Sequence, residues 1–166
     1  MHLRDNKRVH VWTNRRISLR DEQMRILVVD DHAVAAEALA AALSLENTVC
    51  LTAFGGVEAI STARTWLPHA IVMDISMLEC TGFEAALTLR RDHTTSCTAI
   101  IAFTALDETE VQRHLVDQEF DGYCQKGQSP SALIALLMGM VLGDNAHLID
   151  GNLTSIVIPS RISAVP

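Results

Sequence analysis

From Arg25 onward the chain alternates short, wholly apolar runs with longer stretches in which apolar residues return at helical spacing. Ile26-Leu27-Val28-Val29 is apolar at every position, as a strand is when helices cover both faces of its sheet. The Ala-rich stretch Ala33–Leu45 that follows is a strong helix former. Thr48–Ala53 predicts a second strand, Gly56–Trp66 a second helix closed by Pro68, and Ile71–Asp74 a third strand. After a loop through Ser76, Met77 and Glu79, Gly82 opens a short helix ending near Arg91, and Thr98–Thr104 is the fourth strand. Asp107-x-x-Glu110 has the spacing of a capping box and announces a fourth helix, expected to run to about Asp117. Asp121–Gln125 is a fifth, shorter strand. Ser129-Pro130 then provides an N-cap and a first-turn proline for a last helix with Leu133, Leu136, Leu137 and Met140 on one face.

Five strands alternating with five helices, joined by right-handed crossovers, predict an α/β fold: a doubly wound, five-stranded parallel sheet of flavodoxin-like topology with strand order 2-1-3-4-5. This domain spans residues 25–143. Residues 1–24 show neither helical nor strand period and are expected to form a basic, poorly ordered arm. Met24, directly before the first strand, is a second candidate for the start of the functional chain. Residues 144–166 are expected to be a tail too short for an output domain, in which Thr154–Ile158 is either an added strand or part of a frayed end.

Charge sharpens this division. Residues 1–25 hold seven Lys/Arg against three Asp/Glu, whereas residues 26–166 hold six against seventeen. An acidic body of this kind argues against direct DNA binding by the main domain. Cys50, Cys80, Cys97 and Cys124 form no C-x-x-C pair and read as reduced, buried small residues of a cytoplasmic protein. The apolar run Ala132–Leu142 is too short to span a bilayer, so no membrane association is expected.

The predicted strand order brings Asp30, Asp31 and Asp74 to one edge of the sheet, where open α/β sheets place their chemistry. Asp74 alone would equally suit the start of a turn, and Asp30-Asp31 a strand end and helix cap. Three converging carboxylates, however, either raise a pKa or recruit a cation, and an oxygen-only donor set favours Mg2+. Thr104 ends the fourth strand with a hydroxyl, and Lys126 follows the fifth with an ammonium that pairs with carboxylate or phosphate. A donor, a cation and a metal around Asp74 are what transfer of a phosphoryl group to a carboxylate requires.

At this point the sequence resembles a known family, the receiver domains of bacterial two-component response regulators. The resemblance is carried by Ile26-Leu27-Val28-Val29-Asp30-Asp31-His32, Ile71-Val72-Met73-Asp74-Ile75-Ser76-Met77 with Gly82, Ile100-Ile101-Ala102-Phe103-Thr104-Ala105, and Gly122-Tyr123-Cys124-Gln125-Lys126. The intervals of 43, 30 and 22 residues separating Asp31, Asp74, Thr104 and Lys126 are those of the family. It implies that Asp74 is the phosphoacceptor, that Asp31 and the Ser76 carbonyl bind Mg2+ directly, and that Asp30 helps through water. Thr104 and Lys126 would hold the phosphoryl oxygens. Tyr123 looks like the family's switch aromatic, moving inward when Thr104 is drawn to the phosphate; ordinary packing at a sheet edge is its other reading.

The resemblance further implies a phosphorelay partner, either a sensor histidine kinase or a histidine phosphotransfer protein. The output is expected at the surface built from the fourth helix, fifth strand and fifth helix, by partner binding or homodimerisation. Such a domain catalyses its own phosphorylation and dephosphorylation and is not a turnover enzyme. Two positions depart from the family: Gly127 stands where Pro usually follows the lysine, and Leu78 replaces the usual Pro after the Asp-x-x-Met stretch. Leu106, apolar at a position that governs water access, is expected to slow hydrolysis. The alternatives are a degenerate receiver that only binds partners and a haloacid-dehalogenase-like phosphatase. The latter needs a second Asp where this chain has Ser76.

Overall fold

A computed structural model describes residues 8–142. Its strands are β1 (Val9–Val11), β2 (Met24–Val29), β3 (Thr48–Ala53), β4 (Ala70–Met73), β5 (Ala99–Thr104) and β6 (Gly122–Gln125). Its helices are α1 (Ala33–Ser44), α2 (Gly56–Trp66), α3 (Gly82–Arg91), α4 (Glu108–Arg113) and α5 (Pro130–Met140). The sheet runs β1-β6-β5-β4-β2-β3, so the five parallel strands keep the expected order and β2 and β4 are neighbours at the switch point. This is a flavodoxin-like α/β fold, with one strand more than the sequence predicts.

Alternation along each central strand divides the core in two. Leu27, Val29, Ile71, Met73, Ile100, Ala102 and Tyr123 face one side, where α2 and α3 contribute Ala59, Ala63, Ala85 and Leu89. Ile26, Val28, Val72, Ile101 and Cys124 face the other, under Leu43 of α1 and Leu133, Leu137 and Met140 of α5. Both faces are thus apolar because both are covered, as the unbroken apolar runs require.

The added strand corrects the reading of residues 1–24 as a poorly ordered arm, as far as those residues are described. Val9–Val11 pairs antiparallel with β6, and Ile17 is buried among the α1 and α5 side chains. Ile17 N–H donates to Met140 at 2.8 Å, and Leu142 N–H donates back to Ile17 at 2.8 Å. A three-residue strand carries too little periodicity to stand out, and its partner lies more than a hundred positions away.

Helix α4 stops at Arg113, short of the expected Asp117. The buried Glu119 carboxylate accepts from the backbone N–H of Val116 and Asp117, offering those groups an alternative to the helix. Asp107 caps α4 as predicted, accepting from Glu110 N–H at 2.9 Å, but Ser129 makes no side-chain cap for α5. A reciprocal capping box occurs instead at Thr81 and Glu84, opening α3. The cysteines are free, but only Cys124 is buried and Cys97 is exposed, which corrects their reading as uniformly interior. Among the described residues no helix is long and apolar enough to cross a membrane. The expected tail, residues 144–166 with Thr154–Ile158, lies outside the described residues.

Candidate functional site

The C-terminal ends of β2, β4, β5 and β6 meet at one edge of the sheet, and β2, β4 and β6 are each extended by one further backbone bond. Asp30 N–H donates to Ala53 at 3.1 Å, Asp74 N–H to Val29 at 2.9 Å and Lys126 N–H to Thr104 at 2.8 Å. These bonds carry the ladder past the strands and fix the residues bearing the chemistry in register with one another. Glycine is required next to them: a Cβ on Gly82 would overlap the Asp74 carbonyl oxygen and Ile75 Cα. The first residue of α3 therefore packs directly against the loop that follows Asp74.

Asp30, Asp31 and Asp74 each present a carboxylate oxygen to a common cluster in which these atoms lie within 4.8 Å of one another. Asp30 and Asp74 are buried, whereas Asp31 is exposed. Lys126 Nζ sits between the two buried members, 2.7 Å from Asp30 Oδ2 and 3.1 Å from Asp74 Oδ2. Three of the other carboxylate oxygens are held by backbone donors. Asp30 Oδ1 accepts from His32 N–H at 2.9 Å, Asp74 Oδ1 from Ile75 N–H at 2.8 Å and Asp31 Oδ2 from Leu78 N–H at 3.1 Å.

Burial pushes the Asp74 carboxyl above the ordinary carboxylate range; Lys126 opposes this and the Asp30 charge adds to it. Burial pulls the Lys126 ammonium down, but its bonds to Asp30 and Asp74 and their charges outweigh that, leaving it raised. One cation, paired with two of the three carboxylates, leaves the cluster anionic overall. Hard oxygen donors at this spacing, with excess negative charge, fit a small divalent cation such as Mg2+.

Thr104 is fully buried at the end of β5, and its Oγ1 accepts from Leu106 N–H at 3.3 Å. Tyr123 is also fully buried, and its hydroxyl donates to the Leu106 carbonyl at 2.7 Å. Ser76, two residues beyond Asp74, is exposed between the buried Ile75 and Met77. The two departures from the family pattern leave the cluster assembled. Gly127 adopts φ +94°, a conformation closed to proline, so the loop after Lys126 follows its own route. Leu78, which is exposed, provides through its backbone N–H a bond to Asp31 that a proline there could not make. Side-chain chemistry carries no signal for that second role, since any residue except proline would supply the same donor.

Comparison with known proteins agrees with the geometry. The family model described as response regulator receiver domain matches residues 26–138. The chain is 32% identical over 116 residues to the phosphate regulon transcriptional regulatory protein PhoB of Pseudomonas aeruginosa, covering 70% of this chain and 51% of that protein. It is 35% identical over 117 residues to the response regulator MprA of Mycobacterium avium, covering 70% and 49%. The chain thus spans about half the length of these curated relatives. Among solved structures, the receiver domain of the Francisella response regulator 1452 superposes with a TM-score of 0.64 at 26% identity, covering 71% of this chain and 96% of that one. The signal receiver domain of a Bermanella marisrubri response regulator gives 0.63 at 26%, covering 72% and 98%. With its mostly parallel sheet, its carboxylate cluster and these relatives in agreement, the chain belongs to the response regulator receiver domain family.

Proposed function

We propose that Asp74 is the phosphoacceptor of a two-component or phosphorelay pathway in the cytoplasm, receiving its phosphoryl group from a histidine kinase or a histidine phosphotransfer protein. The observation that carries this reading is the placement of Lys126 Nζ within 3.1 Å of a buried Asp74 whose neighbours are two further carboxylates. An Asp74 oxygen forms the new P–O bond while the P–N bond of the donor phosphohistidine breaks, and the departing imidazole nitrogen takes up a proton. Asp31, Asp74 and the Ser76 carbonyl would hold Mg2+, with Asp30 assisting through water. The ion supplies neutralisation of charge on the phosphoryl oxygens. Lys126 and the Thr104 hydroxyl take the remaining phosphoryl oxygens, positioning the group without forming a covalent bond to it.

Receiver domains are regulatory proteins rather than turnover enzymes. In this one Thr104 and Tyr123 form the switch, because the backbone of Leu106 joins them: its N–H bonds Thr104 and its carbonyl accepts from Tyr123. Leu106 itself packs against the core and slows hydrolysis by leaving water without a polar guide. The surface that changes is formed by α4, β6 and α5. It takes up a protein partner or a second copy, and the acidic body does not bind DNA directly.

Incubation with acetyl phosphate and Mg2+, followed by intact mass measurement, tests the assignment. Wild type is expected to gain one phosphoryl group that Asp74→Ala does not gain. Absence of labelling in wild type favours the other reading, a receiver that acts only as a protein-interaction module.

A further inference from the structure

Without β1, strand β6 would be an open sheet edge with a row of unpaired backbone groups. Instead β1 fills that edge in antiparallel register, with Val9 opposite Cys124, His10 opposite Tyr123 and Val11 opposite Gly122. Alternation splits its side chains: Val9 packs with the α1 and α5 cluster, while His10 and Trp12 reach α4 on the other face. The Trp12 ring stacks on Tyr123 with centroids 5.8 Å apart and planes 9° from parallel. Trp12 Nε1 donates to Glu108 Oε1 at 2.8 Å, and His10 Nδ1 lies 2.7 Å from Glu108 Oε2. A single carboxylate in the first turn of α4 thus holds two residues of the segment. Just beyond, Thr13 Oγ1 and Arg15 Nε donate to the buried Asp121 at 2.7 and 2.8 Å, anchoring the segment at its other end.

We propose that residues 9–12 are a resident ligand of the α4–β6–α5 surface, a latch that holds Tyr123 in place and must release before this surface can take a partner. The trigger rests on the phosphoacceptor reading above; the latch itself does not. Thr104, Leu106, Tyr123, Trp12 and Glu108 form one continuous chain of contacts from the phosphoryl site to the latch. Drawing the Thr104 hydroxyl toward a phosphoryl oxygen disturbs its bond with Leu106 N–H, and the Leu106 carbonyl is what fixes the Tyr123 hydroxyl. Coupling between two sites is reciprocal: if ligation at Asp74 loosens the latch, loss of the latch tightens ligation at Asp74 by the same factor.

The full chain is titrated with beryllofluoride and Mg2+, a non-covalent stand-in for the phosphoryl group, and bound fluoride is read by fluorine NMR. Trp12→Ala is expected to bind at least about fivefold more tightly than wild type, within the usual range of allosteric couplings. Glu108→Ala should shift binding in the same direction, and it acts from the α4 surface, so it still reads the coupling if Trp12→Ala folds poorly. Hydrogen exchange should show residues 9–13 and 122–125 protected in free wild type and exposed once beryllofluoride is bound. Equal or weaker binding by both variants overturns the coupling while leaving the phosphoacceptor reading intact. Residues 9–13 unprotected in free wild type overturn the latch itself. No binding by any of the three chains overturns the phosphoacceptor reading and the trigger together.

Discussion

Lys126 Nζ lies 3.1 Å from Asp74 Oδ2, yet burial still holds the Asp74 carboxyl above its ordinary range. An acid whose folded value is raised ionises first in the unfolded chain, so its contribution to stability falls as pH climbs from 3.8 through the folded value. Asp74→Asn removes that ionisation. In EDTA it is expected to melt above wild type at about pH 7, with the gap closing as pH falls toward the unfolded carboxylate value. Thermal melts across this range check it; a wild type that melts higher near neutrality would mean that pairing with Lys126 outweighs burial.

Leu78 tests whether a departure from the family pattern has been put to use. Its N–H holds the exposed Asp31 carboxylate in the cluster, and hydrogen bonds to charged groups contribute about 1.5–3 kcal/mol. Leu78→Pro removes the donor and should weaken Mg2+ binding by about tenfold, a value at the low end of that range. Leu78→Ala keeps the donor and should match wild type. Calorimetric titration of Mg2+ into the three chains decides, and equal affinities would show that Asp31 needs no such support.

Away from the carboxylate cluster, Asp121 is the hub of a buried ionic network. Arg90 Nη2 donates to it at 2.7 Å and Ile100 N–H at 2.9 Å, in addition to Thr13 and Arg15. Asp121→Ala strands the Arg90 guanidinium, which burial already makes less willing to carry its charge. The expected loss is about 3–5 kcal/mol in urea denaturation, as for other buried ion pairs deprived of one partner. Arg15→Ala, at the more exposed end of the network, should cost no more than about 1 kcal/mol. Similar losses for the two would place the anchor of the N-terminal segment, rather than Arg90, at the centre of the network.

The carboxylate cluster, with Thr104 and Lys126 beside it, was legible in the chain because each of these residues lies at the end of a strand or within two positions of it. Asp30, Asp31, Asp74, Thr104 and Lys126 sit at strand ends by sequence position, and a parallel sheet gathers such ends at one edge. The backbone contribution was not legible. The Leu78 donor and the close approach at Gly82 depend on where main-chain atoms fall in space. The early end of α4 is of the same kind, since it depends on a glutamate folding back on residues beyond the helix.

What the sequence by itself determined is the order and type of the central elements and the identity of the charged groups at their ends. Strand and helix periods are local properties, and unbroken apolar runs demand cover on both faces. Only the tertiary structure decided the role of the segment before Met24. Val9-His10-Val11-Trp12 has no strong period of its own; it becomes a strand, and a cover for Tyr123, because β6 offers an edge and Glu108 offers an acceptor. Long-range pairing is set by what the rest of the fold leaves unpaired, and a three-residue strand carries too little local pattern to reveal it.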